Sequence, residues 1–549
     1  MNTPEHLAPR LPLAALTSPS LPGPPSPGVA RFPGAPHTGP EVSPPGLPLG
    51  ALTQPPNPFD VPPTFDALLA QFPPALSADV LRISLVDQAP EPPPAPAPVA
   101  EPAPAPAAAP IAPAPAFASA HDFTVPLTFD APAPAPTPSP VPTESIDPLG
   151  VRGEFPILSE RVHGHRLVWL DNAATTQKPR AVIDRLTQFH SHENSNIHRA
   201  AHTLAARATD AYEGARESVR RFLNAPSAED VIFVRGATEG INLVAEAWGR
   251  SQLKPGDEIV ITWLEHHANI VPWQRVAQAT GAKLRVAPVD DRGQIVLEAY
   301  ERLLGPRTRL VSLTQVSNAL GTITPSRLMI DLAHRHGALV LLDGAQAVSH
   351  MPVDVQGLDC DFFVFSGHKV YGPTGIGAVY GRREILATLP PWQSGGNMIQ
   401  DVTFEHTVYQ KPPARFEAGT GNIADAVGLG TALDWLSNLG LPRVAGHEHD
   451  LIVYGTQQLD TIPGLHHVGT ATEKAGVLSF VIDGHDTHEI GSFLDRRGIA
   501  VRGGHHCAQP ILRRLGHEST VRASFGVYNG RDDVDALVDA LRALTGGRA

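Results

Sequence analysis

Beyond Pro148 the apolar positions of the chain fall into two alternating patterns. Short unbroken runs bounded by turn formers ("DEIVITW", "RLVSLTQVS", "ALVLLDGA", "CDFFVFSG") predict strands buried on both faces of a parallel sheet. Between them the period lengthens to that of a helix. "EGINLVAEAW" spaces Ile241, Val244, Ala245 and Trp248 along one face, and "PSRLMIDLAHRHG" closes on Gly337 as a C-terminal cap. This alternation predicts an α/β domain with a mostly parallel sheet. From about Leu429, longer helical patterns and the strand "GVLSFVID" predict a smaller α+β domain, which carries one of the two cysteines.

Residues 1–147 carry neither period. Of the 58 prolines, 41 lie in the first 150 residues, within blocks such as "APEPPPAPAPVAEPAPAPAAAPIAPAPA". Proline removes donors and fixes φ, so this stretch is predicted to stay extended and disordered. It repeats itself, however. "LPLAALT" at Leu11–Thr17 returns as "LPLGALT" at Leu47–Thr53, and "FDVPPTFDA" at Phe59–Ala67 returns as "FTVPLTFDA" at Phe123–Ala131. Duplicated apolar islands in a segment without a core read as multivalent docking motifs, against the blander reading of a linker. "TFDALLAQF" (Thr64–Phe72) could fold into a short helix on binding, with Thr64 as its N-cap.

Charge adds little. The formal net charge is −13, of which about −9 falls in the first 150 residues; the remaining 399 residues are near −4, a mild, unclustered balance that gives no reason to expect nucleic acid. Two cysteines make a disulfide framework unexpected and suit a reducing cytosol. The start "MNTPEHLAPRLPLAALTSPS" lacks a basic n-region, and no apolar run reaches the ~18 residues of a spanning helix, so no membrane association is expected.

Candidate chemistry collects at the strand ends. In "FSGHKVYGPTGIG" Lys369 directly follows an apolar strand among small residues, where desolvation would lower its pKa as an imine-forming amine needs. "LVLLDGAQA" ends another buried strand on Asp343, a carboxylate that needs a cation such as a pyridinium nitrogen. "RGATEGINL" offers a helix start and Thr238 to a phosphate, and "EHHANIVPW" a flat imidazole, His266, to a ring. "GHHCAQP" holds Cys507. A metal cluster of His266, His267, His505, His506 and Cys507 lacks the spacing of common zinc motifs, and Cys360 reads as a small core residue. "HSHENSNIH" reads, in its first half, as an exposed polar helix end.

Taken together these stretches, with "LDNAATTQKP", "HRAAHTLAARATDAYEGAR", "VSNALGT", "RFEAGTGN" and "RASFGVYN", closely resemble the SufS-type (group II) cysteine desulfurases, from about Phe155 to Leu544. These are class V, fold-type I pyridoxal-phosphate enzymes. The resemblance implies a 148–170 segment packed on the small domain, a cofactor-binding large domain over 171–428, and a small domain over 429–549. It implies pyridoxal 5'-phosphate on Lys369, Asp343 at the pyridine nitrogen, Gln346 at the ring hydroxyl and His266 stacked on the ring. Thr238, Ser366 and His368 would bind the phosphate, and Thr420 the phosphate of a neighbouring subunit in a homodimer. Asn318 and Arg522 would hold the substrate carboxylate, with Arg502 in the same pocket and His198 near the substrate side. Cys507 would take sulfur from L-cysteine as a persulfide and leave alanine. Arg502 would favour its thiolate, as would His505 and His506 if charged.

Gly503 stands where the family usually has Thr or Ala, which predicts a looser cysteine loop. That loop is short, as in enzymes that pass sulfur to a dedicated acceptor protein of the SufE or SufU kind. The extension is similar to that of cargo desulfurases of family 2 encapsulins, which implies cytoplasmic packaging in an encapsulin shell through residues 1–147. The alternative is a selenocysteine lyase or another class V enzyme whose tail is only a linker.

Overall fold

A computed structural model describes residues 148–198 and 202–546. The Pro/Ala-rich extension, its repeats and the Thr64–Phe72 motif lie outside the described residues.

Seven strands form the large sheet: β1 (Val231–Val234), β2 (Glu258–Thr262), β3 (Lys283–Ala287), β4 (Thr308–Thr314), β5 (Leu339–Asp343), β6 (Phe362–Ser366) and β7 (Gly377–Gly381). Their order is β1-β7-β6-β5-β4-β2-β3. Every pair from β6 to β3 is parallel, and only β7 runs against its neighbours. The apolar runs are unbroken because both faces are covered. Along β6, Phe362 and Val364 enter one core while Phe363 and Phe365 enter the other. The helix Ala237–Val244 widens to a π-turn over Ala245–Gly249, and Ile241, Val244, Ala245 and Trp248 are all buried. The helix Ser326–Arg335 stops before Gly337, whose φ of +73° closes it.

A second, antiparallel sheet holds β8 (Leu465–His467), β9 (Val477–Ile482), β10 (Arg502–Gly504) and β11 (Thr520–Ser524), in the order β8-β9-β11-β10. Its core is shared with the helices Leu441–Leu459, Thr487–Asp495 and Arg531–Gly546. The N-terminal segment joins this region: Val168–Trp169 pairs in parallel with Ile499–Ala500, and Arg152 bridges Asp532 and Asp533. The helix Ile423–Leu439 packs on Arg180–His192 and Thr203–Leu223, and runs through position 428. Among the described residues no helix is long and apolar enough to cross a membrane.

Candidate active site

Parallel strands end together, so their last residues gather along one edge of the sheet. β5 ends on Asp343, and β6 ends on Ser366 before the turn Gly367–Lys369. β2 is followed by His266 and β4 by Asn318, and all of these border one cavity of about 210 Å³.

Asp343 is 4% exposed and accepts the Ala345 N–H at 2.9 Å. Burial raises its pKa, while that N–H and the Lys369 charge pull it back. Burial lowers the Lys369 amine to about 8, against the attraction of Asp343, and Arg522 and Arg502 push it further down. An amine poised near neutrality thus shares a wall with a buried carboxylate. His266 accepts the Ala268 N–H on Nδ1 at 3.0 Å. Burial, then the charge on Lys369, lowers its pKa to about 3, so the ring stays neutral.

The phosphate end is built on backbone. Gly236 caps the helix Ala237–Val244, and Ala237 N–H donates to Ser366 Oγ at 2.9 Å. A Cβ at Gly236 would sit 3.0 Å from that hydroxyl. Thr238, Ser366 and His368 line the cavity here, and burial, then Lys369, lowers His368 to about 4. The "ATT" segment fixes the turn from outside: Thr176 N–H, Thr175 Oγ1 and Thr176 Oγ1 all donate to the His368 carbonyl, at 2.9, 3.0 and 3.2 Å. Gln346 lines the cavity with its Nε2 donating to the Ala173 carbonyl at 2.7 Å.

Opposite lies a cationic wall. Arg522 is 1% exposed, donates from NH1 to the Asn318 carbonyl at 2.9 Å, and meets Asp171 through NH2 at 3.0 Å. Its Nε has no hydrogen-bond partner among the described residues. Burial lowers its pKa to about 10, with Asp171 opposing. Arg502, its register partner on β10, reaches the other Asp171 oxygen at 3.4 Å.

Cys507 is half-buried on the same cavity. Its loop is pinned on several sides: Asn318 Nδ2 donates to the His506 carbonyl at 2.6 Å, and His267 N–H to the Cys507 carbonyl at 2.8 Å. His506 Nε2 lies 2.8 Å from Thr520 Oγ1. His506 and Cys507 both adopt left-handed backbone, at φ +52° and +55°, a conformation that costs non-glycine residues about 1–2 kcal/mol each. Two expectations change here. A Cβ on Gly503 would lie 2.7 Å from the Thr487 carbonyl, so this glycine serves a close strand–helix approach rather than a loose loop. His506 is lowered to about 3, by burial first and then by Arg522 and Arg502, so it stays neutral and lends no positive charge to the thiolate.

Two expected site residues are elsewhere. Thr420 borders a separate cavity of about 570 Å³, with Tyr212, Phe233 and Glu417. His198 bonds Glu213 at 2.9 Å, its ring 6.0 Å from that of Tyr212. Cys360 is buried, which pushes its thiol pKa up and leaves it in the core. Sequence reasoning gave no role to Asp171, Thr175 or Thr176. The motif "LDNAATTQKP" was the available signal, but Asp171 meets Arg522 across 351 positions.

The donor set fits pyridoxal 5'-phosphate: an amine of lowered pKa, a buried carboxylate for a ring nitrogen, a neutral imidazole, and hydroxyls at a helix start. Placed at the carboxyl edge of this sheet, it defines a fold-type I pyridoxal-phosphate enzyme. Residues 168–537 match the class-V aminotransferase family, and the chain belongs to that family. Among its relatives, a protein named cysteine desulfurase from Synechococcus elongatus is 66% identical over 397 residues, covering 72% of this chain. The match spans 63% of that relative, less than two thirds of its length. A cysteine desulfurase from Dickeya dadantii is 51% identical over 395 residues, covering 72% of this chain and 96% of its own. The crystal structure of an Escherichia coli cysteine desulfurase superposes with a TM-score of 0.68 at 42% identity, covering 72% of this chain and 98% of that one.

Proposed function

We propose that the chain is a pyridoxal-phosphate-dependent cysteine desulfurase of the SufS type, which converts L-cysteine to L-alanine and keeps the sulfur on Cys507. One observation carries this reading: Cys507 lies on the wall of the cavity that also holds Lys369, Asp343 and Arg522. The desulfurase relatives support it.

In this reading the cofactor, when bound, supplies the electron sink that makes a carbanion at the substrate Cα accessible. Lys369 and Asp343 would hold its reactive carbon and ring nitrogen, His266 and Gln346 would meet its ring and ring hydroxyl, and Thr238, Ser366 and His368 would take the phosphate. Arg522, Asn318 and Arg502 orient the substrate carboxylate, which places the substrate sulfur toward Cys507. Lys369, with its pKa near 8, moves the proton from Cα. The Cys507 thiolate then attacks the substrate sulfur. An S–S bond forms, the Cβ–S bond breaks, and its electron pair stays with the three-carbon skeleton, which leaves as alanine once protonated. Cys507→Ala should abolish sulfide release from L-cysteine while the bound cofactor keeps its absorbance. Sulfide release by that variant would refute the nucleophile assignment.

On this reading Thr420, which stands apart from the Lys369 cavity, reaches the phosphate of a second copy in a homodimer, and His198 serves the substrate side. The persulfide passes to a SufE- or SufU-like acceptor, for iron–sulfur cluster assembly or for storage. Residues 1–147 load the enzyme into an encapsulin shell. A fluorescent protein carrying residues 1–147 should co-purify with the shell, and failure to load removes the cargo role.

A further inference from the structure

Asp171 opens the "NAATT" turn between the cationic wall of Arg522 and Arg502 and the lysine turn. Its backbone bridges Ser524 at the end of β11, while Thr175 and Thr176 hold the His368 carbonyl next to Lys369. Its carboxylate is divided between two cations: one oxygen lies 3.0 Å from Arg522 NH2, the other 3.4 Å from Arg502 NH2. These arginines are register partners on neighbouring strands, so two like charges stand side by side. Asp171 is the only carboxylate paired with either of them among the described residues. The arginines differ sharply in hydration, with side-chain exposures of 1% for Arg522 and 45% for Arg502. Arg522 also keeps a buried Nε without a partner among the described residues.

We infer that Asp171 sets the charge of the substrate carboxylate site. By engaging both arginines with one carboxylate it leaves their wall of the cavity with a single net positive charge, and so restricts the enzyme to amino acids with one negative charge. This rests on the proposal that Arg522 and Arg502 receive the substrate carboxylate. Coulomb energies scale with the product of the charges, and in a partly desolvated pocket a second negative group is disfavoured where the walls offer only one net positive charge. Without Asp171 the two arginines together match a dianionic amino acid. Asp171 acts through the arginines and is a positioning and specificity residue rather than a catalytic one.

The test measures dissociation constants of L-alanine, L-aspartate and ethylamine for the holoenzyme, at fixed ionic strength, from the change in cofactor absorbance. The wild type should bind L-alanine more tightly than L-aspartate. In Asp171→Asn the ratio of aspartate to alanine affinity should rise about tenfold, whereas Asp171→Glu, which keeps the charge, should stay near wild type. A ratio within twofold of wild type in Asp171→Asn overturns the inference. A merely structural role would weaken both ligands together and leave the ratio alone. If Asp171→Asn fails to fold, Arg502→Gln should lower the same ratio about tenfold, and no change there overturns the inference equally. If the wild type binds L-alanine no better than ethylamine, the arginines hold no carboxylate, and it is the underlying proposal that fails.

Discussion

At the scale of single residues, the environment of Lys369 leads to a pH dependence. Its amine titrates near 8 because burial disfavours the ammonium more than Asp343 favours it. Only the free amine can join an aldehyde. Covalent capture of pyridoxal phosphate by the cofactor-free protein should therefore quicken about tenfold per pH unit up to pH ~8 and level off above it. Stopped-flow absorbance after mixing checks this, and Lys369→Ala should abolish the covalent species. His266 and His506, both lowered to about 3, should add no inflection near the ordinary histidine range. Lys369, Asp343 and His266 could be read from sequence because each stands beside a buried apolar strand that fixes its surroundings. The neutrality of His506 could not. It depends first on burial and then on Arg522 and Arg502, and both the burial and the nearness of Arg522 come only with the folded sheet.

The cysteine loop shows the same division at the scale of an element. Its motif marks Cys507, but its rigidity comes from contacts with Asn318, His267 and Thr520 on separate segments. Gly503 is the sharpest case. Along the chain it reads as added freedom, whereas in space it sits on β10 against the backbone of the helix Thr487–Asp495. Gly503→Ala should destabilise the protein by about 1–3 kcal/mol, because the obstructing atom is a backbone carbonyl that cannot rotate away. The denaturation midpoint reads this directly. Amide exchange across 505–508 should quicken in the same variant, since β10 anchors the loop.

At the scale of the whole molecule, segments distant in sequence are tied by buried charge. Arg216 in the helix Thr203–Leu223 grips Glu417 with two bonds, at 2.6 and 3.0 Å, and Glu417 also accepts the Phe233 N–H from β1 at 2.8 Å. Their side chains are 3% and 9% exposed, and Glu417 raises the Arg216 pKa despite burial. Glu417→Ala should cost about 3 kcal/mol in urea unfolding, the lower end for a broken buried pair because Glu213 still meets Arg216 Nε at 2.9 Å. The alternation of strands and helices, the places of Lys369 and Asp343 at strand ends, and the compositional contrast between residues 1–147 and the rest are legible in the chain alone. The first two are legible because burial on both faces leaves unbroken apolar runs, and chemistry at strand ends stands next to them. Tertiary structure decided which distant groups share a charge: Asp171 between Arg522 and Arg502, Asn318 on the cysteine loop, and Thr420 and His198 apart from the lysine cavity. Such pairings depend on strand register and packing across hundreds of residues, and neither leaves a local period in the chain.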